Sequence, residues 1–219
     1  MADKRKQTGE NWRPATRAVR GGIARTEFGE TNEAMFLTSG YVYKDAATAA
    51  ARFKGEDDGY IYSRFGNPTV RIFEERLAAI EEAEDCRATA TGMAAVFAAL
   101  MCQLKAGDHV VSGRAIFGSI NYIMTDLLPR FGVETTLVDG RDLDQWQAAM
   151  RPNTRCVFLE SPSNPTLEIV DIAAVAEIGH SVGARVIIDN VFSTPVLQQP
   201  MKLGADIVVY STTKHIDGQ

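Results

Sequence analysis

Lys214 closes the segment Asp206–Lys214, DIVVYSTTK, directly after an apolar run. A lysine is a nucleophile only once it has lost its proton, which desolvation and neighbouring positive charge favour; in that state it can form a Schiff base. Ser211 and Thr213 precede it at alternate positions, so on extended backbone both hydroxyls point the same way. A phosphate beside the lysine would give them a partner. Thr91-Gly92-Met93 opens a second apolar segment, and the first N–H groups of a helix favour the same anion. Asp189 closes the run RVIID. An aspartate under a pyridine nitrogen keeps that nitrogen protonated, so the ring can accept electrons. Each residue also has a plainer reading, Asp189 as a helix cap and Lys214 as a solvated surface residue. On these residues alone both readings stay open.

The elements that would carry these groups alternate along the chain. Short β-rich runs fall at 87–91, 109–112, 134–138, 156–160, 185–189 and 206–211. Helical segments fill 93–104, 119–131, 144–150 and 172–182, and Pro68 opens a further helix towards Glu84. CVFLE and RVIID are apolar throughout, as strands covered on both faces must be. The pattern predicts an α/β domain with a mainly parallel sheet between helices, whose ligands bind beyond the carboxyl ends of the strands. Phe117, Asn164, Asp189 and Lys214 all follow strands, so one rim should gather them. Residues 1–66 read as an N-terminal arm and interface segment, with Asp45 capping a short helix to Phe53, and residues 67–219 as the α/β domain.

Composition narrows the class. With 45% hydrophobic and 23% charged residues the chain is globular, and a net charge of -5 argues against a broad nucleic-acid surface. The longest apolar run, Met93–Cys102, is too short for a bilayer, and the polar N-terminus does not read as a secretory signal; a cytoplasmic location is expected. Cys86, Cys102 and Cys156 lie far apart without CxxC and read as core thiols. His109, His180 and His215 lack metal spacing, so no metal is expected. GxGxxG is absent, and GRAIFGS has Ser119 where a phosphate-binding loop needs lysine.

Five motifs in order carry a resemblance. They are Tyr60-Ile61-Tyr62-Ser63-Arg64 with Asn67-Pro68-Thr69, Thr91-Gly92-Met93, Glu160-Ser161-Pro162-Ser163-Asn164-Pro165, Asp189-Asn190, and Ser211-Thr212-Thr213-Lys214. From about Thr31 onward the chain resembles the Cys/Met-metabolism, or trans-sulfuration, family of pyridoxal-phosphate enzymes. Phe117-Gly118 and the closing KHIDGQ are most similar to the O-succinylhomoserine sulfhydrylase branch.

The resemblance implies the large domain of an aspartate-aminotransferase-like (fold type I) enzyme. Lys214 would hold pyridoxal 5′-phosphate covalently and then shuttle protons. Asp189 would pair with the ring nitrogen, and Thr91, Gly92, Met93, Ser211 and Thr213 would line the phosphate. Phe117 would stack on the ring, and Asn164 would contact the ring hydroxyl or the substrate carboxylate. Tyr62 and Arg64 would reach the phosphate of a neighbouring subunit in a homodimer or homotetramer, the Arg64 fork donating two bonds at once.

The implied reaction is replacement at Cγ of O-succinyl-L-homoserine by sulfide, giving L-homocysteine and succinate for methionine biosynthesis. Cystathionine synthesis, γ-elimination and O-acetylhomoserine use are the rivals within the family. A non-catalytic module that binds a phosphate compound is the rival outside it. Three positions depart from the common pattern: Thr91 replaces serine, Phe117 replaces tyrosine and so lacks the phenol, and His215 follows the lysine in place of tyrosine. Family members run to roughly twice this length, a two-domain size. The C-terminal domain and its carboxylate-binding arginine are therefore expected to be missing from this chain.

Overall fold

The structure, a computed structural model, describes residues 11–218; the first ten residues of the expected arm and Gln219 lie outside them. The chain divides into two compact units, Met1–Ala88 and Thr89–Gln219.

The first unit holds helices α1 (Pro14–Arg20), α2 (Ala46–Lys54) and α3 (Pro68–Glu81). No residue of α1 is buried, so no apolar period announces it. Asp45 caps α2 as expected, accepting the Thr48 N–H at 2.7 Å. Asn67 caps α3 by accepting the Thr69 N–H at 2.9 Å, with Pro68 preset in the first turn. The Asn67 amide also donates to the Phe36 carbonyl and the Ser63 hydroxyl, both at 3.0 Å. One buried side chain thus starts a helix and fastens the aromatic segment to it. The helix stops at Glu81, short of the expected Glu84, because Glu82 turns left-handed at φ 57°.

The second unit is a five-stranded sheet, parallel throughout, in the order β2-β1-β3-β4-β5. The strands are β1 (His109–Gly113), β2 (Glu134–Val138), β3 (Thr154–Glu160), β4 (Arg185–Asp189) and β5 (Ile207–Val209). Five expected strands are present. The sixth, 87–91, is a correction: a strand exists only by pairing, and no described strand pairs with this segment. Its Ala88 N–H instead donates to Glu74 at 2.8 Å.

Helices α4 (Gly92–Met101), α5 (Gly118–Tyr122), α6 (Leu128–Arg130), α7 (Leu143–Ala149), α8 (Ile172–Ser181) and α9 (Thr194–Leu197) fill the connections. A π turn, Ile123–Leu127, joins α5 to α6 within the expected helix 119–131. It ends two residues before Pro129, which has no N–H to donate and whose ring crowds the carbonyl four residues back, at Thr125 inside the turn.

Both faces of the sheet are covered. Val110, Cys156, Phe158, Ile187 and Val209 pack with α4, α5 and the π turn through Val96, Leu100, Ile120 and Met124. Val111, Val157, Leu159, Val186 and Ile188 pack with α7 and α8 through Trp146, Ile172, Val175 and Ala176. Odd and even positions of one strand therefore serve different cores, which is why CVFLE and RVIID show no polar alternation. Gly179 lets α8 come close, since a Cβ there would lie 3.0 Å from Val157 Cγ2 and 3.1 Å from Val186 Cγ2. From β1 the chain steps to β2 on one side, then crosses to β3 on the other. That reversal opens a crevice at the carboxyl ends of β1 and β3, the place where open α/β sheets bind ligands.

Candidate active site

Asp189 is the last residue of β4 and is 7% exposed. It does not cap a helix; its Oδ1 accepts the Val191 N–H at 3.0 Å within a turn. Burial pushes its carboxyl up to about 6, while the Val191 N–H and the Lys214 charge pull it down. A buried carboxylate of this kind is stabilised by a cation or a proton donor at its open oxygen. Lys214 lies on the exposed turn after β5, where its own carbonyl accepts the Gly218 N–H at 2.9 Å. Its effect on Asp189 brings the two residues singled out by sequence into one electrostatic site.

The start of α4 stands beside them. Thr91 caps α4, its hydroxyl accepting the Ala94 N–H at 3.0 Å. Gly92 and Met93 follow in the first turn, whose N–H groups have no acceptor within a helix. A Cβ on Gly92 would lie 2.7 Å from Ser211 Cβ and 2.9 Å from its Cα. Only glycine lets the start of α4 and the strand-end hydroxyl of Ser211 meet. Thr213 is exposed on the same turn as Lys214. The Met93 side chain packs against the core below, leaving its backbone at the rim.

Phe117, 42% exposed, follows β1, and its N–H donates to Glu160 Oε2 at 2.8 Å. Asn164 is half-buried in the loop after β3. The Ser161 hydroxyl braces that loop by accepting the Val170 N–H at 3.0 Å, and the Ser163 hydroxyl by accepting the Glu168 N–H at 3.0 Å. A network around the buried Asn190 supports the β4 end. Asn190 donates to the Tyr210 hydroxyl at 2.6 Å, and Gln198 donates to Asn190 Oδ1 at 2.7 Å and to the Ser161 carbonyl at 2.8 Å. Tyr210 and Gln198 escaped sequence reasoning, since no local pattern tells that they meet Asn190.

Glu160, at the end of β3, has no basic partner acting on it among the described residues. Burial, with the Asp189 charge beside it, pushes it up to about 7, opposed by the Phe117 and Asn164 N–H groups.

Tyr62 and Arg64 lie in the first unit, both exposed, with the guanidinium 4.9 Å from the Tyr62 ring centre and 5.2 Å from that of Phe65. Tyr41 stacks on Tyr60 at 5.3 Å, and the Tyr43 hydroxyl donates to the Ile61 carbonyl at 3.2 Å. Those three tyrosines pack the unit internally.

Of the cysteines, Cys156 is buried as expected, Cys86 is half-buried, and Cys102 is exposed at the end of α4. Among the described residues no cluster of His, Cys, Asp or Glu could hold a metal. No described helix is long and apolar enough to cross a membrane.

A helix start closed tightly on a serine, an exposed aromatic ring, a buried aspartate and a lysine fit pyridoxal phosphate: anion donors, a stacking surface, a ring-nitrogen partner and an amine. The family model for Cys/Met metabolism PLP-dependent enzymes matches residues 15–219. The chain belongs to that family, and pyridoxal phosphate is its cofactor.

Among its relatives, an O-succinylhomoserine sulfhydrylase of Mycobacterium tuberculosis is 58% identical over 205 residues, 94% of this chain and 50% of that protein. The O-succinylhomoserine sulfhydrylase of Pseudomonas aeruginosa is 54% identical over 93% of this chain and 51% of its own length. An L-methionine gamma-lyase of Porphyromonas gingivalis is 44% identical over 93% and 51%. A candidate O-acetylhomoserine (thiol)-lyase from Campylobacter jejuni, solved with N′-pyridoxyl-lysine-5′-monophosphate, superposes with a TM-score of 0.92 at 34% identity, covering 95% of this chain and 52% of that one. This chain spans about half the length of these relatives.

Proposed function

We propose that this chain is the cofactor-binding portion of an enzyme that replaces the Cγ substituent of O-succinyl-L-homoserine by sulfide. The Cγ–O bond breaks, a Cγ–S bond forms, and L-homocysteine and succinate leave. The observation that carries the choice of substrate is the ranking of relatives, 58% and 54% for those named sulfhydrylase against 44% for a lyase.

Pyridoxal phosphate supplies an electron sink for the pair left when a proton leaves the substrate Cα. Asp189 keeps its negative charge at the ring nitrogen and so holds a proton there. Thr91, Gly92, Met93, Ser211 and Thr213 hold the phosphate, and Phe117 supports the ring face. Asn164 orients the ring hydroxyl or the substrate carboxylate. Lys214 fastens the cofactor, then takes and returns protons at the substrate carbons. Because Phe117 carries no phenol, proton handling rests on Lys214 and Tyr62. Residues 1–66 serve as arm and interface segment to a cofactor domain of residues 67–219. Tyr62 and Arg64 reach the phosphate of a neighbouring subunit in a cytoplasmic homodimer or homotetramer.

Borohydride reduction followed by peptide mapping tests the site. A pyridoxyl label on Lys214, absent in Lys214→Ala, is the expected result; a label elsewhere overturns the assignment. Product analysis of the intact protein with sulfide tests the reaction. Homocysteine and succinate are expected, whereas 2-oxobutanoate and ammonia would favour the elimination reading that the lyase relatives support.

A further inference from the structure

Glu160 has no part in the chemistry above, yet it is only 4% exposed, at the carboxyl end of β3. It is in register with Asp189 on β4, so the two carboxyls share one face of adjacent strands. Its Oε2 accepts the Phe117 N–H at 2.8 Å, from the loop after β1. The Asn164 N–H, from the loop after β3, also favours its charged form. One carboxyl at the end of β3 is therefore bonded across the crevice to the backbone of the loop after β1, which carries the proposed ring contact Phe117.

We propose that Glu160 is a positioning residue that clamps the Phe117 loop to the end of β3 beside the cofactor ring, and that the charge on Asp189 sets how tightly the clamp holds.

The charged groups acting here are Asp189 on Glu160 and Lys214 on Asp189; the other partners are the N–H dipoles of Phe117, Asn164 and Val191. Without cofactor, an ionised Asp189 opposes ionisation of Glu160, and the clamp bond is partly neutral. A protonated ring nitrogen at Asp189 cancels that opposition. Glu160 then ionises, and its bond to the Phe117 N–H becomes charge-assisted, roughly twice as strong as a neutral one. The ring thus tightens the loop beside it. This step rests on the proposed pairing of Asp189 with the ring nitrogen.

The test is amide hydrogen exchange at Phe117, corrected for intrinsic rates, in the intact protein stripped of cofactor. In the wild type, protection should fall about fivefold as pH drops from 8 to 6, the ratio expected when a charge-assisted bond becomes a neutral one. Glu160→Gln should abolish that dependence. Asp189→Asn should move it to lower pH, because the opposing charge is gone. An unchanged pH profile in Glu160→Gln, or an unmoved one in Asp189→Asn, overturns the proposal. Adding pyridoxal phosphate to the wild type at pH 7 should raise protection at Phe117; no rise in protein that carries the Lys214 label overturns the tightening. Absence of any Lys214 label would instead overturn the cofactor assignment, with the cofactor-free profiles still judging the clamp.

Discussion

Asp189 is held in a state that opposes folding until a partner arrives. Its carboxyl stands at about 6 against an ordinary 3.8, with burial as the first cause. A raised carboxyl favours the folded state at pH below its unfolded value, and that gain is lost as pH rises through the folded value. Above about pH 6 the cofactor-free protein therefore carries a buried charge at a cost. Asp189→Asn keeps the acceptor for the Val191 N–H and removes the charge. It should stabilise the cofactor-free protein by about 1–3 kcal/mol at pH 8, with the difference vanishing below about pH 4. Denaturant midpoints across pH read this directly. The same variant should lose the stabilisation that pyridoxal phosphate gives the wild type. A stability gain with unchanged cofactor stabilisation would remove Asp189 from the site.

Among the elements, the sheet depends on a buried histidine at its amino end. His109 on β1 is fully buried, with Nδ1 2.8 Å from the Thr154 hydroxyl on β3 and Nε2 2.9 Å from the Thr136 hydroxyl on β2. One ring nitrogen donates, the other accepts, and the threonines supply either role. The neutral ring thus joins three strands. Burial, with Arg151 nearby, pushes it down to about 4, while Glu134 acts the other way. Between about pH 4 and 6.5 the unfolded chain binds the proton more tightly, so stability falls as pH drops through that window, by up to about 3 kcal/mol. His109→Gln should be less stable at pH 8 but lose most of this slope in thermal melts. A variant that keeps the full slope would show that the slope comes from other groups.

For the whole molecule, the prediction concerns assembly. Lys214 lies in the second unit and Tyr62 with Arg64 in the first. If Arg64 serves a neighbouring subunit, Lys214→Ala and Arg64→Ala damage sites in different ways that can complement. Each variant alone should be nearly inactive. Mixed after dissociation and reassociation, they should recover about a quarter of wild-type activity, because random pairing in a symmetric dimer leaves that share of sites intact. No recovery, with exchange verified by mass, would place Arg64 in the site of its own chain.

The groups proposed to do chemistry were legible because each stands where an apolar run ends or begins. Asp189, Lys214, Thr91-Gly92 and Asn164 stand where a covered strand must stop or a helix must start, and that change of pattern is local. The helix cap at Asp45 and the helix start at Pro68 were legible as local signals too, whereas the Asn67 cap emerged only in the structure. The helix α1 was not legible, since it buries nothing. Nor was the failure of 87–91 to form a strand, because β-propensity describes a residue while a strand needs a neighbour. Amino-acid order by itself determined the alternation of elements, the rim of polar residues and the family. Only the tertiary structure decided that Glu160 meets Asp189 rather than a basic side chain, that Gly92 must clear Ser211, and that His109 joins three strands. Register between strands and approach between helix and strand depend on segments far apart in the chain, and no local pattern encodes them.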